Sequence, residues 1–115
     1  MNIGRLDVCL RVNDVGNSEA FYEKLGFQRA EGNPEEGWSV VSDGQARIGL
    51  FEAQYMDSDF SLNFRDGDIL SIVSELSGKG ITLDKPLRGS PDKGYSATLR
   101  DPDGYVIFLD SDKTN

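Results

Sequence analysis

The sequence predicts a single α+β domain, residues 1–115, in which two βαβββ modules pair into a curved, partly closed mixed sheet with the helices on the outside. Three observations lead to this prediction. Several short segments alternate apolar and polar residues, which is typical of half-buried strands. Two longer segments repeat apolar residues at helical spacing. The same order of predicted elements also occurs twice within 115 residues, a length that suits one packed core.

The first module, residues 1–52, begins with its clearest strand. Leu6, Val8 and Leu10 alternate with polar residues between positions 5 and 12. The remaining predicted elements are a helix that begins after Asn13-Asp14 and ends at Gly26, extended chain over 27–30, a loop over 33–37, and strands over 38–42 and 47–52. Asp43-Gly44 between the last two strands indicates a hairpin.

A connector, 53–59, leads to the second module, 60–110, which is followed by a short tail, 111–115. The predicted elements of this module are a strand over 60–65, a helix containing Ile69, Ile72, Val73 and Leu76, extended chain over 81–83, a loop over 88–94, and strands over 95–99 and 105–109. Asp66 or Asp68 is expected to cap the helix. Asp101-Pro102-Asp103-Gly104 predicts a type I turn between the last two strands.

The composition excludes several classes of function. A formal net charge of −8 disfavours nucleic acid and anionic membranes as partners. The chain has no histidine, so relays and metal sites that depend on imidazole are excluded. Cys9 is the only cysteine and has no partner for an internal disulfide, which fits a cytoplasmic location. No apolar run is long enough for a membrane span, and the N-terminus lacks the apolar core of a signal peptide.

Three segments resemble the vicinal oxygen chelate superfamily, which includes glyoxalase I, extradiol dioxygenases, fosfomycin-resistance enzymes and bleomycin-resistance binding proteins. These segments are 6–14, Phe21-Tyr22-Glu23-Lys24-Leu25-Gly26-Phe27, and Arg100-Asp101-Pro102-Asp103-Gly104-Tyr105-Val106-Ile107-Phe108-Leu109. The likeness covers nearly the whole chain. It implies the fold predicted above, with a hollow shared by the two modules, where we expect the function to lie.

The resemblance does not extend to the metal of the metal-using members, which place His, Gln or Glu at four converging sheet positions. The corresponding residues here are Asp7, Gly49, Ser61 and Phe108. Only Asp7 is a useful ligand, whereas a catalytic metal generally needs three protein ligands. The protein is therefore most similar to the metal-free binding members, and we expect no metal, no other cofactor and no catalytic residue. Phe108 indicates either a hollow that contacts flat or apolar groups, or one plugged by its own side chains.

Strand alternation assigns polar residues to the face that looks into this hollow. The expected sets are Asp7, Cys9 and Arg11; Arg47, Gly49 and Phe51; Ser61, Asn63 and Arg65; and Val106, Phe108 and Asp110. The arginines have two interpretations. They clamp an anionic group of a ligand, or they pair with Asp7 and Asp110.

Aromatic residues provide a second signal. Trp38 and Tyr95 each follow a glycine in corresponding places of the two modules, so they sandwich a planar ligand or lie at a dimer contact. Tyr55 in the connector either closes over the hollow or is exposed, and Cys9 is expected to be a small filler residue. The candidate ligand-binding residues are thus Asp7, Arg11, Trp38, Arg47, Phe51, Asn63, Arg65, Tyr95 and Phe108.

The leading hypothesis is a cytoplasmic, homodimeric protein that binds a small molecule without a metal, as bleomycin-resistance proteins do. The alternative is a glyoxalase- or dioxygenase-like lyase or isomerase with an atypical or displaced metal site, in which Asp7 or Asp110 acts as the base. A third possibility is a regulatory or scaffolding module without a working site. The ligand's charge is open, because the net charge favours a cation and the arginines favour an anion.

Overall fold

The computed structural model describes residues 1–111 of the chain. The elements, in chain order, are β1 (Arg5–Arg11), α1 (Val15–Lys24), β2 (Gln28–Asn33), β3 (Trp38–Ser42), β4 (Arg47–Phe51), β5 (Phe60–Arg65), α2 (Ile69–Gly78), β6 (Lys85–Ser90), β7 (Gly94–Arg100) and β8 (Val106–Asp110). The predicted tail lies outside the described residues except for Ser111. Within residues 1–111, no helix is long and apolar enough to cross a membrane.

The chain divides into two compact units, Asp7–Ser61, and Met1–Leu6 together with the residues from Leu62 onward. We refer to them as the first and the second unit. In the first unit the strand order is β2-β3-β4-β1. β1 runs parallel to β4, and the other neighbouring strands are antiparallel. Helix α1 covers one face of this sheet, where Val15, Val41 and Leu50 form a buried core.

The local sequence explains where α1 begins and ends. The Asp14 side chain accepts a hydrogen bond of 3.0 Å from the backbone N–H of Asn17, so Asp14 is the N-cap, as predicted. Leu25 caps the other end, and Gly26 follows with φ of +101°. A residue with a side chain is strained in that left-handed conformation, so glycine suits this position.

In the second unit the strand order is β5-β8-β7-β6. Helix α2 packs on this sheet, and the core consists of Ile69, Ile72, Leu76, Ala97, Leu99 and Leu109. Of the two predicted caps, Asp68 is the N-cap of α2. The predicted turn between the last two strands is closed by a 3.0 Å hydrogen bond from Gly104 N–H to the Asp101 carbonyl.

The predictions of β2 and β6 are wrong in their bounds. β2 extends to Asn33, and it contains a register shift between Arg29 and Glu31 that breaks the alternation. β6 covers 85–90, where extended chain was expected at 81–83 and a loop from position 88. Both are edge strands of their units, and nearly every residue of β6 is exposed, so no apolar periodicity marks them. The predicted loop over 33–37 contains a short 3₁₀ turn, Pro34–Glu36.

The α+β class of the prediction is confirmed by the helices and by the mixed pairing of the first unit's sheet. The pairing of two modules around a shared hollow stays a prediction.

Candidate ligand-binding site

The face of the first unit's sheet opposite α1, which we call the back face, presents three rows of side chains. From the strand register, the rows are Ser42, Arg47 and Asp7; Glu31, Val40, Gly49 and Cys9; and Asn33, Trp38, Phe51 and Arg11. Residues directly opposite each other on neighbouring strands lie on the same face. The back face therefore combines the two sets that alternation assigned to β1 and β4 with side chains from β2 and β3.

The guanidinium of Arg47 connects the first two rows through hydrogen bonds with two carboxylates. Arg47 Nε donates a 2.6 Å hydrogen bond to Oδ1 of buried Asp7, and Nη2 donates to Asp7 Oδ2 over 3.4 Å. Nη2 also donates to the carboxylate of Glu31 on β2. The pKa of Arg47 is raised, mainly by the hydrogen bond with Asp7 and further by Glu31, against the opposing effect of burial. Arg47 therefore carries a permanent positive charge within this face.

Aromatic side chains form the third row. The rings of Trp38 and Phe51 are stacked within 9° of parallel, with their centroids 5.8 Å apart. Tyr55 meets Phe51 edge to face at 5.9 Å, and its hydroxyl donates a 2.8 Å hydrogen bond to the Glu36 carbonyl. Two parallel rings at this separation leave no space for a third ring between them, so Trp38 and Phe51 form a platform rather than a clamp.

The absence of a side chain at Gly49 allows this arrangement. A Cβ atom at position 49 would lie 2.7 Å from Cys9 Sγ and 2.7 Å from Phe51 Cε2. The thiol and the edge of the Phe51 ring therefore take up the space above Gly49. Cys9 is buried, in agreement with its expected role as a small filler residue.

Comparison with known proteins identifies the family of the chain. The family model of the Glyoxalase/Bleomycin resistance protein/Dioxygenase superfamily matches residues 4–109. The chain belongs to this superfamily. A search of curated proteins found no match.

Solved structures support the same fold for this superfamily member. One similar structure is titled an NAD-dependent benzaldehyde dehydrogenase from Legionella pneumophila, with a TM-score of 0.77, 23% identity, and coverage of 95% of this chain and 100% of that one. Another is a superfamily member from Vibrio splendidus 12B01, with a TM-score of 0.67, 18% identity and coverage of 94% and 98%. Methylmalonyl-CoA epimerase from Mycobacterium tuberculosis has a TM-score of 0.68, 20% identity and coverage of 91% and 85%. These likenesses show the fold alone.

The residues present do not fit the metal that other superfamily members use. Asp7 already accepts hydrogen bonds from Arg47, and Gly49 offers no side chain. Within residues 1–111, no group of three or more His, Cys, Asp or Glu is placed to hold a metal ion. A catalytic metal generally needs about three protein ligands, so we derive no chemistry through a metal here.

Each of the three candidate arginines lies beside a carboxylate. Arg11 binds the exposed Asp59 over 2.5 Å, and Arg65 Nε lies 3.5 Å from Asp110 Oδ1 in the second unit. Together with the bond between Arg47 and Asp7, these contacts agree with the pairing interpretation, although Arg11 uses a partner that the sequence did not predict.

Tyr95 requires a correction. It packs against the core cluster beneath α2 in the second unit, whereas Trp38 lies on the face opposite α1 in the first unit. The expected symmetry of the two rings is therefore absent. Aligning the glycines that precede the two rings places β7 one residue out of register with β3, and a slip of one residue moves a side chain to the other face. Asn63 and Phe108, the other candidates in the second unit, are half-buried.

The sequence analysis missed Glu31 because it ended the preceding strand at position 30. It also missed a buried cluster on the α1 side of the first unit, where Glu19 accepts hydrogen bonds from Arg29 and Ser39. The available signal was Glu19 itself, a charged residue on the helical stripe that faces the sheet.

Proposed function

We propose that the protein binds a small molecule without the help of a metal, and that the back face of the first unit is part of the binding site. One observation carries this proposal. A permanent guanidinium, fixed by Asp7 and Glu31, lies on the same face of the sheet as the parallel rings of Trp38 and Phe51. An aromatic surface beside a few fixed polar groups is the usual composition of a small-molecule site.

The alternative function, a lyase or isomerase, needs a base that is available to a substrate. Asp7 was the candidate on this face, but both of its oxygens accept hydrogen bonds from Arg47. To take a proton from a substrate, Asp7 would have to give up bonds that stabilise its buried charge. The geometry therefore favours binding over catalysis at this position.

Fluorescence of Trp38 tests the proposal directly, because Trp38 is the only tryptophan of the chain. The protein is treated with EDTA, desalted and titrated with a panel of flat aromatic compounds of different charge. Saturable changes in Trp38 emission in the absence of metal support the proposal. The proposal is contradicted if the protein binds Ni²⁺, Zn²⁺, Mn²⁺ or Fe²⁺ tightly and stoichiometrically and if no ligand binds without that metal. That result would favour the lyase or isomerase.

We also propose the remaining expectations from the sequence: two βαβββ modules, further ligand contacts at Asn63, Arg65 and Phe108, a cytoplasmic location and a homodimer. Exposed apolar side chains support the dimer, since Phe21 and Leu25 at the end of α1 are 58% and 60% exposed. Sedimentation at micromolar concentration tests it, and a monomer under those conditions contradicts it.

A further inference from the structure

Arg47 has hydrogen-bonding capacity that no residue among 1–111 uses. A guanidinium carries five N–H groups, one on Nε and two on each Nη atom. Nε and Nη2 donate to Asp7 and Glu31, but Nη1 has no hydrogen-bond partner among residues 1–111. The Arg47 side chain is 18% exposed, so it is neither sealed in the core nor freely solvated. Its two bound edges fix the plane of the guanidinium and hence the direction of the Nη1 donors.

The strand register places Arg47 and the aromatic platform on the same face of the sheet. Arg47 starts from the first row on β4 and reaches Glu31 in the second row on β2, with β3 between them. Its guanidinium therefore contacts one carboxylate of the first row and one of the second. Rows on one face of a strand are about 7 Å apart, since each residue rises about 3.4 Å. The third row, with Trp38 and Phe51, follows the second row on the same face.

We infer that the back face recognises a flat ring that carries an uncharged oxygen acceptor, such as an aryl carboxamide or ketone. The ring lies on the platform of Trp38 and Phe51, and its carbonyl oxygen accepts hydrogen bonds from Nη1 of Arg47. This inference rests on the proposed function and specifies its ligand class. An aromatic ring with a carbonyl group attached directly to it is long enough to bridge the spacing between two neighbouring rows. The hydrogen bond to the carbonyl oxygen adds about 2.9 Å to the length of the ligand.

The choice of an uncharged acceptor follows from what Arg47 already binds. Asp7 and Glu31 are both in contact with the same guanidinium. A carboxylate on the ligand would be a third anion within a few ångströms of these two, and their repulsion offsets its attraction to Arg47. A carbonyl oxygen accepts the same charge-assisted hydrogen bonds without that repulsion. A ligand amidinium has only N–H groups to present to Nη1, so it makes no hydrogen bond there.

Three probes of nearly identical shape test the inference: benzamide, benzoate and benzamidinium. Each is titrated into the wild-type protein, and binding is followed by Trp38 fluorescence and by the side-chain ¹⁵N–¹H resonances of the arginines. We expect benzamide to bind about tenfold more tightly than benzoate or benzamidinium, which corresponds to one charge-assisted hydrogen bond. The Arg47 Nε–H resonance should shift on saturation with benzamide, and that of Arg100 should not.

A charge-balanced double variant, Asp7→Asn with Arg47→Gln, removes the donor without leaving a buried carboxylate alone. Benzamide should bind to it about tenfold more weakly, whereas Arg100→Gln, at an exposed ion pair of the second unit, should leave its affinity unchanged. If the double variant fails to fold, the Arg47 resonance of the wild type decides the question.

The outcomes separate this inference from the proposed function. Equal or tighter binding of benzoate or benzamidinium, unchanged benzamide affinity in the folded double variant, or an unmoved Arg47 resonance overturns the inference, while saturable binding by other members of the aromatic panel still supports small-molecule binding. If no probe and no member of the panel binds, both fail.

Discussion

The Ser39 hydroxyl donates a 2.6 Å hydrogen bond to the carboxylate of Glu19, joining β3 to α1 in the first unit. Arg29 on β2 donates to the same carboxylate from Nε over 2.9 Å and from Nη2 over 2.6 Å. Glu19 is buried, yet both of its oxygens accept hydrogen bonds, so the charge is compensated. This cluster attaches the helix to two strands of the sheet whose opposite face carries the candidate site.

We expect Glu19→Gln to lower the free energy of unfolding by about 1–2 kcal/mol at neutral pH, because the glutamine side chain has no negative charge and only one acceptor oxygen in place of two. The lower part of that range is favoured because Arg29 is half-exposed. Denaturant unfolding measures the loss. Glu75→Gln, at an exposed ion pair on α2, is the matched control and should cost less. An equal loss in both variants would contradict a special role for Glu19.

The same carboxylate predicts a dependence on pH. Arg29, and to a lesser extent Ser39, lower the pKa of Glu19, although burial opposes them. A lowered folded pKa means that the stabilisation is fully present above the ordinary pKa of glutamate and is lost as the pH falls through the lower folded value. The stability difference between wild type and Glu19→Gln should therefore shrink in acid. A difference that grows as the pH falls would show that the sign is wrong.

We expect Gly49→Ala to destabilise the protein by about 1–3 kcal/mol, the usual cost of an overpacked site. The new Cβ would lie 2.7 Å from both Cys9 Sγ and the Phe51 ring, so the ring must move relative to Trp38 and the fluorescence of Trp38 should change. Gly78→Ala is the control, because a Cβ at position 78 meets nothing within 4 Å. Unchanged fluorescence in a folded Gly49→Ala protein would mean that Gly49 does not set the stacking.

The N-cap of α2 allows a paired test. The Asp68 side chain accepts hydrogen bonds from the backbone N–H of Ser71 at 3.3 Å and from its hydroxyl at 3.0 Å. Asp68→Ala should lower the unfolding free energy by about 1 kcal/mol. Asp68→Asn should retain most of the stabilisation by the cap, since Asn is also a good N-cap residue. Thermal and denaturant unfolding check both variants. Equal losses would attribute the effect to charge rather than to capping.

The ion pair of Arg11 with Asp59 should matter little, although its atoms are 2.5 Å apart. The Asp59 side chain is 90% exposed, and pairs in water generally contribute less than about 1 kcal/mol. We expect Asp59→Asn to change the unfolding free energy by less than about 0.5 kcal/mol and to leave probe binding at Trp38 unaffected. A larger loss of unfolding free energy that does not depend on salt concentration would show that the pair organises the connector.

The sequence predicted the central elements better than the edges, for a physical reason. β3 has the predicted bounds of Trp38–Ser42 because a glycine precedes it, a turn follows it and its apolar residues are buried. The apolar spacing of α2 is equally clear, since Ile69, Ile72 and Leu76 all face the core. At an edge strand such as β6, solvent removes the constraint that produces alternation, so the pattern is lost.

The candidate site was predictable only in part. Alternation places Arg47, Gly49 and Phe51 on one face, because a strand has a side-chain period of two. It does not reveal that Arg47 reaches across β3 to Glu31, since that contact depends on the strand order and on the register shift in β2. Tyr95 shows the other limit, because a one-residue error in aligning two strands reverses the face.

The guanidinium between Asp7 and Glu31 is synthesised as part of the polypeptide. The partial neutralisation of these two carboxylates therefore does not depend on the supply of a metal ion, and it is in place as soon as the strands assemble. Chelators or metal starvation should leave these contacts intact. A foreign metal ion would have to displace Arg47 in order to bind both carboxylates.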